Sequence, residues 1–226
     1  MTALSRRLLA AFLCACVLGA TAAARAAGEA ARIVDRARIV LEEMLEDPDF
    51  AHVKEYLKNA HGVVIVPRLL RGGFVLGGQF GRGVLLVRDP QTGAWSDPIF
   101  VTVAGGSLGL QVGGQAMDVV MTVMNRPTVK KMVESEFKLG VDASAARGPV
   151  GAGIGAGTTI NFGEDIYVFA KNIGLYAGMS LEGTAIVADA DRIEEYYGRR
   201  VHPNAILRGE VHNPHAGPLK ALLARY

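Results

Sequence analysis

Cysteine is nearly absent: the 226 residues hold two, Cys14 and Cys16, both inside an N-terminal export-type segment. Arg6 and Arg7 open that segment, Leu8 to Ala24 is an apolar run, and Ala24-Arg25-Ala26 fits a small-residue cleavage pattern. The expected organisation is a signal peptide over 1–26 and one domain over 27–226. The run is too short and alanine-rich for a membrane anchor. Ser5-Arg6-Arg7-Leu8-Leu9 partly matches a twin-arginine signal, and Leu13-Cys14-Ala15-Cys16 loosely matches a lipoprotein signal with Cys16 as the lipidated residue. A chain cleaved after Ala26 has no thiol, which excludes disulfides, a cysteine nucleophile and a cysteine zinc site. The expected location is therefore the periplasm or the periphery of an envelope membrane.

Excess charge is lacking too. Losing Arg6, Arg7 and Arg25 leaves 21 basic residues against 22 acidic ones, a net charge of −1. That balance gives no general electrostatic case for nucleic acid, so an anionic partner must meet a local patch. No low-complexity linker divides the chain. No glycine run is followed by Lys-Ser or Lys-Thr, so a nucleotide P-loop is missing.

Glycine, by contrast, is abundant and concentrated: 23 of 28 lie between Gly62 and Gly183. Gly151, Gly153, Gly155 and Gly157 alternate, and similar spacing recurs over Gly72–Gly83 and Gly105–Gly114. In a strand such glycines share one face, leaving bare backbone there. The pattern predicts close approach by another layer or sharp sheet curvature.

Residues 29–47 predict an amphipathic helix with its stripe on Ile33, Val34, Ala37, Val40, Leu41, Met44 and Leu45. Asp49 is placed to cap a shorter helix near Ala51–Asn59. Strand-like runs follow at Val63–Val66, Phe74–Phe80, Val84–Arg88, Ile99–Val103, Leu108–Val112 and Val119–Met124, with a turn at Asp89–Gly93. Helical spacing returns at Pro127–Phe137. Further strand-like runs occupy Val141–Ala145, Val150–Asn161, Ile166–Ala170, Leu175–Ser180 and Thr184–Ala188. Asp189–Tyr197 and Pro218–Tyr226 read as closing helices. Without regular strand–helix alternation a parallel doubly wound sheet is excluded. The fold class is α+β: a glycine-rich, mainly antiparallel curved sheet with an N-terminal amphipathic helix and short flanking helices.

Gly105-Gly106-Ser107-Leu108-Gly109 matches G-x-S-x-G, with Asp142 and His202 downstream in triad order. The nucleophile elbow needs a helix after the serine, whereas Leu110–Gly114 alternates like strand. A serine esterase through Ser107 is thus the alternative reading rather than the main one. His212-Asn213-Pro214-His215 reads as an exposed polar turn, and His52 and His61 as structural. Glu164-Asp165 and Glu194-Glu195 are adjacent in sequence, which does not make an acid–base dyad. A non-enzymatic chain without metal or cofactor is expected. An outer-membrane barrel is opposed by the helical pattern at Pro218–Tyr226 and at the start of the chain.

Surface binding remains. Lys54, Lys58, Arg68 and Arg71 gather around the second helix and the Pro67–Gly72 segment, read here as a loop. There Leu69 and Leu70 stand between two arginines and could enter a bilayer while the guanidinium groups meet phosphates.

The ordered set Ala60–Pro67, Gly73–Gly78, Gly83–Arg88, Trp95-Ser96-Asp97-Pro98, Gly109–Gly113, Gly148–Gly151, Gly174–Gly183 and Tyr196-Tyr197-Gly198 resembles the SYLF domain, or Ysc84 actin-binding family. The resemblance runs from about 33 to 210. It implies a lipid-binding domain, phosphoinositide or actin being the partners of eukaryotic members. An N-terminal amphipathic helix and a basic surface would carry the lipid, here Arg32, Arg36, Lys54, Lys58, Arg68 and Arg71. The export segment and the absence of an SH3 or FYVE module argue against actin and for anionic phospholipid as partner.

Overall fold

The computed structural model describes residues 28–73, 76–108, 113–139, 157–162, 165–173, 181 and 183–226. The expected signal segment, the run Gly148–Ala156, Asp142 and the segment Leu175–Ser180 lie outside the described residues.

Helix α1 (28–46) is followed by a 3-10 turn at Pro48–Phe50 and by α2 (Val53–Asn59). Asp47, not Asp49, caps the turn: its side chain accepts from the Asp49 amide at 3.1 Å, and α2 starts at His52 without a side-chain cap. The strands are β1 (Gly62–Gly73), β2 (Leu76–Val87), β3 (Ile99–Leu108), β4 (Gly113–Val123), β5 (Phe137–Lys138), β6 (Gly157–Phe162), β7 (Ile166–Ile173) and β8 (Ala185–Ala188). Helix α3 (Arg126–Glu134) precedes β5, and α4 (Ala190–Tyr197), α5 (Pro203–Leu207) and α6 (Gly217–Leu223) close the chain. Of these, α5 has no counterpart in the sequence pattern; Pro203 at its first position and the His202 ring accepting from the Asn204 amide start it.

The eight strands form one antiparallel curved sheet in the order β5-β8-β3-β2-β1-β4-β7-β6. Among the described residues it is open, with β5 and β6 at its edges. No helix of the described residues is long and apolar enough to cross a membrane.

Strand β2 is continuous where the pattern predicts a break at Gly81-Arg82-Gly83. The cause lies in β1. Between Val66 and Leu69 the pairing with β4 slips by one residue, and between Ile65 and Leu70 the pairing with β2 does the same. This is a one-residue bulge at Pro67-Arg68, with Arg68 at φ 63°, a left-handed conformation uncommon outside glycine. The bulge presses β1 onto β2. A Cβ at Gly83 would lie 2.2 Å from the Ile65 carbonyl oxygen, and one at Gly81 would lie 2.9 Å from both Leu69 Cδ1 and Val66 Cγ1. Only glycine lets β2 pass there.

One sheet face carries Ile65, Val84, Phe100, Val120 and Phe169 and is covered by α1, α2 and α4. Tyr56 of α2 stacks 4.0 Å from Tyr167, and Tyr196 of α4 lies 5.0 Å from Phe100. The stripe of α1 is core: Val34, Ala37, Leu41 and Met44 are at most 1% exposed. The opposite face receives α3, whose Val129 lies 3.0 Å from the Cβ position of Gly62.

Candidate membrane-facing site

Glu29 at the start of α1 meets Arg82 at 3.2 Å, and Asp47 just past its end meets Lys171 of β7 at 3.3 Å. Helix α1 therefore spans the sheet from β2 to β7 along one line. Beyond that line no helix of the described residues lies over the same face. Register places Ala185, Ala104, Phe80, Leu70 and Ala116 side by side across β8, β3, β2, β1 and β4. The next row outward is Gly106, Gly78, Gly72 and Gly114, all exposed. A Cβ on Gly106 would meet nothing within 4 Å, and those of Gly78 and Gly114 only a carbonyl oxygen at 3.8 and 3.9 Å. Among the described residues no second layer covers these glycines, and of the two outcomes their spacing predicts, close approach or sheet curvature, it is the curved sheet that is found here.

Among the described residues, the exposed large hydrophobics are Ile39, Leu70, Phe80 and Val187, at 41–48% exposure. All four belong to this side. Leu70 and Phe80 are cross-strand partners, Val187 pairs with Thr102 one row inward, and Ile39 is on the outer surface of α1. Exposed apolar residues normally scatter, so their gathering on one side marks a contact surface.

The bulge decides which leucine takes part. In a regular strand Ile65 and Leu69 share a face. The extra residue inverts the alternation, so Leu70 joins Ile65's face while Leu69 is 0% exposed in the core. Leu69 is therefore not available to a bilayer. Arg71 follows Leu69 to the opposite face, opposite Gln79 and Gln115. The Pro67–Gly72 segment is strand, not loop. Asp118 holds the bulge, accepting from the Arg68 amide at 2.9 Å.

The basic residues divide as well. Glu29 and Arg36 are seven apart and share a stripe of α1, so Arg36 looks over the same edge as Glu29, with Arg32 one turn earlier. Arg32, Arg36 and Arg68 are exposed and have no ion pair among the described residues. Lys54 and Lys58 are exposed too, but α2 sits at the far end of β1, where Arg88 donates to the Lys58 carbonyl at 2.9 Å. Six strand residues at ~3.3 Å each separate that end from Arg68, about 20 Å. The structure thus brings together Arg32, Arg36, Arg68 and Leu70, and leaves Lys54, Lys58, Leu69 and Arg71 outside. It adds Phe80, whose ring lies 5.6 Å from the Arg82 guanidinium. Alternation in a glycine-rich run could have pointed to Phe80, since Gly78, Phe80 and Arg82 share a face.

The other sequence candidates fall elsewhere. Ser107 lies within β3, paired with Gly77, and β4 begins at Gly113. The strand–turn–helix context of the nucleophile elbow is not met. The His212–His215 turn is more than polar surface: His212 Nδ1 lies 2.7 Å from Asp97 and His215 Nε2 lies 3.1 Å from Asp35, fastening the C-terminal segment to the β2–β3 connection and to α1. Nearby, burial pushes the Tyr196 and Tyr197 phenols up, the Asp97 charge adding to it. Both stay neutral, and Tyr197 donates to the Pro98 carbonyl at 2.8 Å. No group of three or more metal-ligating side chains occurs among the described residues.

Residues 104–226 match the family described as Ysc84, Las17-binding protein actin regulator. The chain belongs to the Ysc84 family. It is 32% identical over 165 residues to LAS seventeen-binding protein 3 of Saccharomyces cerevisiae, covering 72% of this chain and 36% of that protein. Protein YSC84 of the same yeast is 32% identical over 171 residues, 74% of this chain and 36% of its own length. SH3 domain-containing YSC84-like protein 1 of Xenopus laevis is 27% identical over 169 residues, 74% of this chain and 50% of its own. The chain thus spans between a third and a half of these relatives. No solved structure matches it.

Proposed function

We propose that this Ysc84-family chain is a non-enzymatic domain that binds anionic phospholipid surfaces, acting in the cell envelope after export. The carrying observation is that Ile39, Leu70, Phe80 and Val187 gather on the α1 side together with the unpaired Arg32, Arg36 and Arg68. Guanidinium groups meet headgroup phosphates while Leu70 and Phe80 enter the interface. Each cation contributes about 1 kcal/mol near an anionic leaflet. Half-exposed Leu70 and Phe80 can insert only their free halves, about 1 kcal/mol each. The sum describes a peripheral, reversible attachment in which salt removes the cationic part and leaves the apolar part.

The family description speaks of Las17 and actin. For this chain the lipid reading is preferred because the exposed row sets apolar side chains beside guanidinium groups, the pairing that a bilayer surface takes. Flotation with phosphatidylcholine vesicles, with and without phosphatidylglycerol, tests it. Binding should need the anionic lipid, weaken partly in salt, fall in Arg68→Glu and change less in Arg71→Glu on the opposite face. No flotation with anionic vesicles, or equal loss in both variants, would overturn it. Co-sedimentation with actin filaments in place of vesicles would favour the partner in the family description.

A further inference from the structure

A cleft of about 530 Å³ opens between the β2–β3 connection and the C-terminal helices, well away from the sheet face described above. Trp95, 4% exposed, forms part of its wall, with the Arg88 guanidinium 4.6 Å from the ring centroid. At its base Asp97 is 6% exposed. One of its oxygens lies 2.7 Å from His212 Nδ1, the other 3.2 Å from Lys220 Nζ. Arg208 completes the polar lining from the end of α5.

Counting donors and acceptors indicates what this cleft can hold. Both Asp97 oxygens are engaged. Asp89, at the rim, spends Oδ1 on the Gln91 and Thr92 amides and the Thr92 hydroxyl. The carboxylates therefore offer little to a cation or a donor-rich ligand. Donors remain in excess. Lys220 has two further N–H groups, and Arg208 keeps its terminal nitrogens beyond the Nε contact with Glu210. Asp97 acts as an internal counter-ion that fixes the ammonium and imidazole beside each other before any ligand arrives. Ile206 and Val211 supply an apolar wall next to these donors, and the volume exceeds that of a bare inorganic anion.

We propose that this cleft binds a phosphate monoester, its phosphoryl oxygens accepting from Lys220 and Arg208 beside the His212 ring, and its organic portion lying on the Ile206–Val211 wall. Two sources offer such an ester, a soluble metabolite and a lipid headgroup, and the same donors serve both. The site is independent of the membrane-binding reading.

Trp95 is the only tryptophan of the chain and reports on this cleft directly. The full chain is titrated with glycerol 3-phosphate, inorganic phosphate and dibutyryl phosphatidic acid, followed by Trp95 emission and by calorimetry, against sodium chloride at matched ionic strength. Saturable binding is expected, weaker for inorganic phosphate than for the esters. Affinity should fall about tenfold in Arg208→Gln, which removes one charged donor, and by less in His212→Gln, which loosens the Asp97 carboxylate that positions Lys220. Arg208 is 61% exposed in its side chain, so its replacement leaves the fold in place even if Lys220→Met, beside buried Asp97, does not. Binding of glycerol 3-phosphate identifies a soluble ester, and binding of the phosphatidic acid alone a headgroup; either supports the site. Absence of saturable binding to all three, a response matched by chloride, or unchanged affinity in both variants overturns it.

Discussion

Gly78 and Gly83 stand five residues apart in one strand, yet they answer to different constraints. At Gly83 the bulged backbone of β1 crosses so closely that a Cβ would sit 2.2 Å from the Ile65 carbonyl oxygen. At Gly78 the nearest atom to a Cβ is a carbonyl oxygen 3.8 Å away, and at Gly106, beside it on β3, nothing lies within 4 Å. The first region uses glycine for contact inside the sheet. The second uses it, at the end of the sheet beyond α1, without any contact that requires it. A glycine in a strand costs about 0.5–1 kcal/mol relative to alanine. The tight region recovers that by letting β1 and β2 pair through the bulge. Among the described residues the open region has no such return, which fits a bare surface kept for something outside the fold.

The largest test of this contrast is Gly83→Ala. Its new methyl group meets backbone, which cannot rotate away, so a loss of about 3 kcal/mol and a fall in Tm of about 6–12 °C are expected. Gly81→Ala should cost less, because its nearest contacts, Leu69 Cδ1 and Val66 Cγ1 at 2.9 Å, are side-chain atoms and backbone is met only at Leu69 Cα, 3.1 Å away. Thermal unfolding of both variants checks the order. A Gly83→Ala chain as stable as the parent would remove the bulge as the reason for these glycines.

On the open side, Phe80→Glu should leave Tm nearly unchanged and weaken vesicle binding. It forfeits about 1 kcal/mol of apolar insertion and adds about 1 kcal/mol of repulsion from an anionic leaflet. Together that is roughly a thirtyfold loss of affinity. A normal flotation profile for this variant would detach the apolar row from function.

Arg68→Gly joins the two regions, since Arg68 sits in the bulge and on the binding face. Glycine takes φ 63° without the Cβ penalty, so stability should rise by about 1 kcal/mol. Vesicle affinity should fall about fivefold through the lost cation. Opposite movement of Tm and affinity is the signature; parallel movement would mean that the arginine serves the fold.

Much of this was legible beforehand. Helices 28–46, Arg126–Glu134 and Ala190–Tyr197, the antiparallel class and the Asp89–Gly93 turn follow from spacing, caps and turn residues acting over a few positions. Two of the differences share one cause. Whether β2 runs through Gly81 and Gly83, and whether Leu69 or Leu70 is exposed, depend on one extra residue in β1. Such a bulge inverts side-chain alternation without changing composition. The expected basic set divides for another reason: Lys58 and Arg68 are ten residues apart in sequence, but an extended strand carries them to opposite ends of the sheet. His212 and His215 found Asp97 and Asp35 across 115 and 180 residues of chain, beyond any local pattern.

The smallest effect separates the two regions most cleanly. Gly106 and Gly78 have ordinary, non-left-handed backbone and open space at the Cβ position. Alanine there reduces the freedom of the unfolded chain and adds no clash, so Gly78→Ala and Gly106→Ala should each be neutral or stabilising, by about 0.4–1 kcal/mol. That is the reverse sign to Gly83→Ala from an identical chemical change. Denaturant melts of the three variants at unchanged slope would read the signs directly. If Gly106→Ala lost stability as Gly83→Ala is expected to, something within the chain would have to lie on the glycine row. The face beyond α1 would then belong to the fold rather than to a membrane.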